Sequence, residues 1–225
     1  MNTFEIEMKV LLWEDGKARE LIEKIHLHPD TKLINQNSQL NHYFLAEGDF
    51  GKLTEALKEY IDDQHHDKLA QVILEGKNHS IRTREMDGKV LFVVKASVDD
   101  TTSSNGTARI EFEEAVNQLT LQDLDQIMLD NGFPYQSKWS RQRQEYQYKD
   151  MHVCIDKNAG YGYVAEFEKI LSNPDEIDQA KQSIRDEMAA LGVEELDHAR
   201  LERMFAHYNQ HWPEYYGTEK TFVLE

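Results

Sequence analysis

The sequence predicts an α+β protein of about eight mostly antiparallel strands, with helices packed outside them and a helical hairpin at the C-terminal end. Three observations predict it. First, five stretches place charged residues at every second position, the period of a strand: Glu5, Glu7 and Lys9; Arg82 and Arg84; Arg109, Glu111 and Glu113; Arg141, Arg143 and Glu145; Glu166 and Glu168. Second, the turn signals Met86-Asp87-Gly88 and Asn158-Ala159-Gly160 join neighbouring strand patterns into hairpins. Third, the apolar spacing switches to a helical period from Asn173-Pro174 onward.

Taken in order, residues 3–12 read as a strand, with Phe4, Ile6, Met8 and Val10 on its apolar face. Glu14-Asp15-Gly16 reads as a turn before an amphipathic helix over 17–27, which His28-Pro29-Asp30 stops. Residues 31–47 read as extended. Helices are expected over 50–62 and 67–76, separated by the polar link Asp62-Asp63-Gln64-His65-His66. Strands follow over 79–86 and 89–97, then a polar loop over 99–106 and a strand over 107–114. Thr120 caps a helix over about 120–131, closed by Asn131-Gly132. Strands over 135–148, 151–157 and 161–171 complete the β portion, and helices over 175–191 and 195–210 form the hairpin. The remaining segment is aromatic, with Trp212, Tyr215, Tyr216 and Phe222.

Composition narrows the function classes. The chain has 225 residues, 40% of them hydrophobic, which supplies a core of ordinary size. A formal net charge of -17 argues against duplex nucleic-acid binding, which relies on Lys and Arg neutralising phosphates. The single cysteine, Cys154, excludes an internal disulfide and a thiolate metal cluster, and it reads as a small buried hydrophobe. No leader and no long apolar run is seen, so a cytoplasmic protein without membrane contact is expected.

The charged faces carry the chemistry. Open, solvent-facing strands with cross-strand ion pairs would explain any one of them. Closure into a barrel would instead turn Glu5, Glu7, Lys9, Arg109, Glu111 and Glu113 inward, where charge is costly without partners. Metal and phosphate would satisfy both sets, because carboxylates suit Mg²⁺ or Mn²⁺ and Arg forks suit phosphate oxygens. Periodicity alone leaves both alternatives standing.

A resemblance separates them. Glu5-Ile6-Glu7-Met8-Lys9 resembles the N-terminal signature of the CYTH superfamily, the triphosphate tunnel metalloenzymes. Ile81-Arg82-Thr83-Arg84, Val93-Val94-Lys95, Arg109-Ile110-Glu111-Phe112-Glu113, Arg141-Gln142-Arg143, Asp156, Gly160-Tyr161-Gly162 and Glu166-Phe167-Glu168 follow in the family's order. The resemblance covers roughly residues 3–171 and implies an eight-stranded antiparallel β tunnel. It implies a tunnel domain over 1–172, with a helical insertion at about 50–76, and a C-terminal extension over 173–225 packed on it. Asn41-His42-Tyr43-Phe44 departs from the pattern, since many members carry an acidic residue there.

The family contains class IV adenylate cyclases, thiamine triphosphatases, RNA triphosphatases and inorganic tripolyphosphatases. By resemblance, Glu5, Glu7, Asp156, Glu166 and Glu168 would hold one or two divalent ions, Mg²⁺ or Mn²⁺, with Glu111 and Glu113 as additional ligands. Lys9, Arg82, Arg84, Lys95, Arg109, Arg141 and Arg143 would cradle the triphosphate, with Glu5, Glu7, Lys9, Arg82, Arg84 and Glu166 central to catalysis. The expected activity is hydrolysis of the terminal phosphate of an organic or inorganic triphosphate. The alternatives are cyclisation of ATP to cyclic AMP and pyrophosphate, or non-catalytic polyphosphate or nucleotide binding. The expected partner is a small-molecule triphosphate, and the C-terminal hairpin is a candidate homodimer surface. His65-His66 reads as a solvated pair in a polar link, and the aromatic C-terminal segment as packing.

Overall fold

The computed structural model describes residues 4–97 and 108–224. These form eight strands: β1 Phe4–Trp13, β2 Lys32–Phe44, β3 Lys77–Met86, β4 Lys89–Ser97, β5 Ala108–Ala115, β6 Tyr135–Tyr148, β7 Met151–Asn158 and β8 Gly162–Leu171. The six α-helices are α1 Asp15–His26, α2 Phe50–Leu57, α3 His66–Glu75, α4 Leu121–Asp130, α5 Ile177–Ala190 and α6 His198–Tyr215. The strands are hydrogen-bonded in the order β1-β5-β4-β3-β2-β6-β7-β8, which closes as a barrel. The fold class is therefore the expected one, and closure rather than an open wet sheet accounts for the alternation. The loop expected at 99–106 lies outside the described residues.

Most boundaries follow the sequence pattern, and the exceptions have local causes. Helix α1 begins at Asp15, two residues after the positive φ of 61° at Trp13. Helix α2 ends at Leu57 rather than 62, and α3 begins at His66 after a 3₁₀ turn over Asp63–His65. Helix α6 is longer than its apolar pattern: it runs through Trp212 and Pro213 to Tyr215. Pro213, in the last turn, lacks the N–H that would bond the carbonyl four residues earlier. Trp212 and Tyr215 are thus helical, not part of an irregular tail.

The chain divides into two compact units, one of 1–38, 103–108 and 140–225, the other of 39–102 and 109–139. In the first, the apolar face of β1 (Ile6, Met8, Val10, Leu12) meets Leu21 and Ile25 of α1, Ile184 and Met188 of α5, and Phe167 of β8. The inner face of α5 is therefore committed to the chain's own core. In the second, Phe44, Ile81, Phe92, Val94 and Phe112 are fully buried, with α3 packed on β4 and α4 on β3. Thr120 closes α4 with a capping box, its hydroxyl accepting from the Asp123 N–H while the Asp123 carboxylate accepts from Thr120. Asp87 and Gly88, both at positive φ, make the β3–β4 turn. No helix among the described residues is long and apolar enough to cross a membrane.

The segment after α6 returns to the β7–β8 turn. Gly160 donates to the Lys220 carbonyl at 2.8 Å, and Phe222 donates back to the Gly160 carbonyl at 2.8 Å. Gly160 has φ +84°, and a Cβ there would lie 2.6 Å from the Tyr208 ring. The aromatic residues of the C-terminal segment thus serve packing, with Phe222 edge-on to Tyr161 at 5.3 Å between ring centres. Gly160→Ala is expected to destabilise the protein by about 2 kcal/mol or more, from the positive φ alone at about 1–2 kcal/mol plus the clash. Urea unfolding measures it, and a change below about 0.5 kcal/mol would refute the close approach.

Candidate functional site

In the first unit the charged face of β1 is the reverse of its core face. Cross-strand register extends that face over three neighbours: Glu7 stands opposite Glu168, and Lys9 opposite Glu166. On β7, His152 stands opposite Glu168 and Cys154 opposite Glu166, while Arg143 of β6 stands opposite Asp156. Sequence periodicity alone places charges on a strand; pairing register is what makes them neighbours.

These side chains form a continuous chain of ion pairs. Lys9 Nζ lies 2.7 Å from Glu7 Oε1 and 2.9 Å from Glu166 Oε1. Arg143 grips Asp156 with two bonds, Nε to Oδ1 at 2.7 Å and Nη2 to Oδ2 at 2.6 Å, and also donates to Glu166. Arg141 Nη1 donates to Asp156 Oδ2 at 2.9 Å. Asp156 is 1% exposed, so this is a desolvated network rather than a surface one. Burial pushes the Glu166 carboxyl upward, but Lys9, Arg143 and Arg141 outweigh it and hold it well below the usual carboxylate range. Burial likewise opposes charge on Lys9, and Glu166 and Glu7 overcome it, raising the ammonium above its ordinary value. Cys154 is buried as expected, yet it sits opposite Glu166 on the charged face, and burial pushes its thiol up.

The second unit repeats the design with other residues. Arg82 stands opposite Tyr43, and Arg84 opposite Asn41. Arg82 Nη1 donates to the Tyr43 hydroxyl at 3.0 Å, its guanidinium 4.7 Å from that ring's centre. Arg84 Nε donates to Asn41 Oδ1 at 2.7 Å and its Nη1 donates to Glu113. Lys95 pairs with Glu111 at 3.0 Å, in register opposite it, and Arg109 stands opposite Ser97. Burial would raise the Glu113 carboxyl, and Arg84 with the other bases holds it below its ordinary value.

Sequence reasoning missed the anchor behind this second face. Asp125 of α4 is buried and accepts from Thr83 Oγ1 at 2.6 Å and Tyr135 OH at 2.6 Å, with His42 Nδ1 2.6 Å from its Oδ2. Burial would raise its carboxyl, but the bonds from His42, Thr83 and Tyr135 hold it low. Thr83 lies between Arg82 and Arg84 on β3, so the network pins the strand that carries both. The signal was present: Asp125 falls on the apolar stripe of Leu121, Leu124 and Met128. His65 and His66 do not converge; His65 Nδ1 is 3.3 Å from Glu114 and His66 Nε2 is 2.9 Å from the Ile61 carbonyl.

Among the described residues no group of three His, Cys, Asp or Glu side chains is set as a metal cage. The acids are held by bases instead. Their donor chemistry nevertheless fits a hard divalent cation, being all carboxylate oxygen. Glu7 and Glu168 also stand directly opposite each other, two acids side by side on the charged face.

Such an array on a closed eight-stranded sheet is a feature of a recognised class. The CYTH domain family model matches residues 3–201, and this chain belongs to that family. Among solved structures, the PH1819 protein of Pyrococcus horikoshii OT3 is 20% identical with a TM-score of 0.60, covering 88% of this chain and 99% of that one. The PH1012 protein of the same organism is 18% identical with a TM-score of 0.58, over 86% and 96%. A candidate adenylate cyclase from Vibrio parahaemolyticus is 14% identical with a TM-score of 0.58, over 92% and 99%. At these identities the likeness is one of fold. No curated protein matches the chain.

The depressed carboxyls make stability depend on acid pH. A folded pKa below the unfolded one gives stability that is complete above the unfolded value, about 4.3 for Glu, and is lost as pH falls through the folded value. Unfolding free energy is therefore expected to be level from pH 7 to about 5 and to fall steeply below about 4. Glu166→Gln should lose about 3 kcal/mol at pH 7, by leaving buried Lys9 with Glu7 and Arg143 with Asp156 as their remaining acids of this network, and should flatten the acid limb. Urea unfolding at fixed ionic strength gives both; an acid limb as steep as wild type would show that Glu166 is not depressed.

Proposed function

We propose that the protein is a divalent-metal-dependent enzyme that acts on a triphosphate, hydrolysing its terminal phosphate. One observation carries this reading: in each unit the bases are held against carboxylates on the charged face of their strands, Lys9, Arg141 and Arg143 in the first and Arg84 and Lys95 in the second. Apolar residues would serve stability as well or better at such positions. A self-neutralised array suits exchange: bases release to phosphate oxygens as acids release to cations. Membership of the CYTH family supports it.

Lys9, Arg82, Arg84, Lys95, Arg109, Arg141 and Arg143 orient the phosphate chain, and the Arg forks spread over its oxygens the charge that develops in transfer. Glu5, Glu7, Asp156, Glu166 and Glu168, with Glu111 and Glu113 in addition, would hold Mg²⁺ or Mn²⁺. When bound, the ion supplies neutralisation of phosphate charge and orients the chain. The second reading, cyclisation of ATP with expulsion of pyrophosphate, is favoured by the fold likeness to the Vibrio parahaemolyticus candidate cyclase and by the same Arg141 and Arg143 strand. Non-catalytic binding is a third, which the large number of carboxylates argues against.

Incubation with ATP, tripolyphosphate and thiamine triphosphate in Mg²⁺ or Mn²⁺ separates the readings. Orthophosphate release is the expected result; cyclic AMP with pyrophosphate would replace it with the cyclase, and tight binding without turnover would leave a binding protein. Glu5→Gln combined with Glu7→Gln should abolish metal-dependent turnover with the circular-dichroism spectrum unchanged. Full activity in that double variant would remove both acids from the metal set.

A further inference from the structure

Helix α6 buries a polar atom that its packing does not satisfy. His207 Nε2 is buried and makes no hydrogen bond among the described residues. Its ring lies 4.6 Å from Phe222, centre to centre, and stacks on His211 at 4.5 Å, the two imidazoles 28° from parallel. His207 and His211 are four residues apart on α6, so both rings leave the same side of the helix. Packing alone is a poor account of His207. A phenylalanine would fill the same place without burying a nitrogen that no donor or acceptor meets. A buried polar atom of this kind calls for an ion or a ligand that satisfies it.

His211 supplies the second half of such a site. Its Nδ1 is 3.1 Å from Glu214 Oε1, and its side chain is 42% exposed. An imidazole held at Nδ1 by a carboxylate presents Nε2 as a ligand, with its tautomer and ring orientation fixed. Two histidines four apart on one helical face are the chelating pair of helical zinc sites. A tetrahedral Zn²⁺ with Zn–N of about 2.0–2.1 Å needs its two nitrogens about 3.4 Å apart. Rings stacked at 4.5 Å reach that separation by a small rotation of the exposed His211. The chemistry differs from that of the charged strand faces, whose carboxylate oxygens suit hard cations.

We infer that His207 and His211 chelate a borderline divalent ion through their Nε2 atoms, with water in the remaining positions, and that Zn²⁺ is an ion they suit. Two protein ligands make an open site, in keeping with the lack of a three-residue cage among the described residues. The site is structural rather than hydrolytic. In helical metalloprotease sites a glutamate next to the first histidine acts as general base. Here that neighbour is Tyr208, which is fully buried. The chelate closes the turn before Pro213, which offers no N–H to the Asn209 carbonyl. It also fixes His207, and with it the seat of Phe222, where the chain returns to Gly160.

The test titrates Zn²⁺ into the full chain, carrying no added histidine tag, with Mg²⁺ in excess to occupy carboxylate sites. Wild type is compared with His207→Phe, which keeps the ring packing, and with His211→Gln, at an exposed position that keeps the test open if the first variant fails to fold. Calorimetry should give one equivalent bound at this pair in wild type, and the ¹⁵N resonances of both imidazoles should shift as it binds. Each variant should weaken that equivalent by at least about tenfold, since losing a ligand costs no less than losing its outer-shell partner. Zn²⁺ should also raise the unfolding midpoint of wild type more than that of either variant. No binding, equal affinity in wild type and both variants, or unshifted imidazoles in the zinc-loaded protein would overturn the inference and leave the triphosphate reading untouched.

Discussion

The chain of contacts from Glu7 through Lys9 and Glu166 to Arg143 and Asp156 is the constraint on which the rest depends. Each of these charges is withdrawn from bulk water, and each is tolerated only because its neighbour carries the opposite sign. Removing one member leaves its neighbours with less compensating charge. The alternation in sequence is therefore a requirement of the whole face, and the register Lys9 opposite Glu166 is as necessary as the residues themselves. A shift of one residue would turn Ile6, Met8 and Val10 out of the core and bury the charges in it.

That constraint explains what surrounds it. A strand with one fully charged face needs an unambiguous apolar face to fix its register, and β1 supplies Ile6 and Met8 at 0% exposure against α1 and α5. In the second unit the fixing is partly polar. Asp125 reaches from α4 to Thr83, and the three hydrogen-bonding partners that satisfy it also hold β3 in place between its two arginines. Such a network is specific where an apolar contact is only favourable, because any slip leaves a buried carboxylate without donors.

Much of this was legible in the sequence. The charged alternations marked five strands, Asp87-Gly88 marked a hairpin, and Thr120 marked a helix start, because each is a local rule with a local cause. What was not legible is what depends on pairing. Cys154 alternates with Val153 and Ile155 and so looked like a core hydrophobe, yet its register sets it among acids, and His152 joins the same face for the same reason. The extent of α6 past Pro213 and the return of Phe222 to Gly160 are tertiary facts that no local period encodes. Asp125 was visible as a polar residue on an apolar stripe but named no partner until the strands were placed.

The pairing also bears on how a polyanion could be bound at all. A phosphate chain that takes Arg143 and Lys9 removes the compensation of Asp156, Glu166 and Glu7, and uncompensated buried carboxylates cost several kcal/mol each by general estimate. The bases are thus available only to a ligand that arrives with cations or with protons for the acids. Linkage makes the dependence reciprocal: whatever a cation adds to polyanion affinity, the polyanion adds to cation affinity. On the proposed function, a face whose bases are held by its own acids would take a polyanion and its cations together rather than either alone.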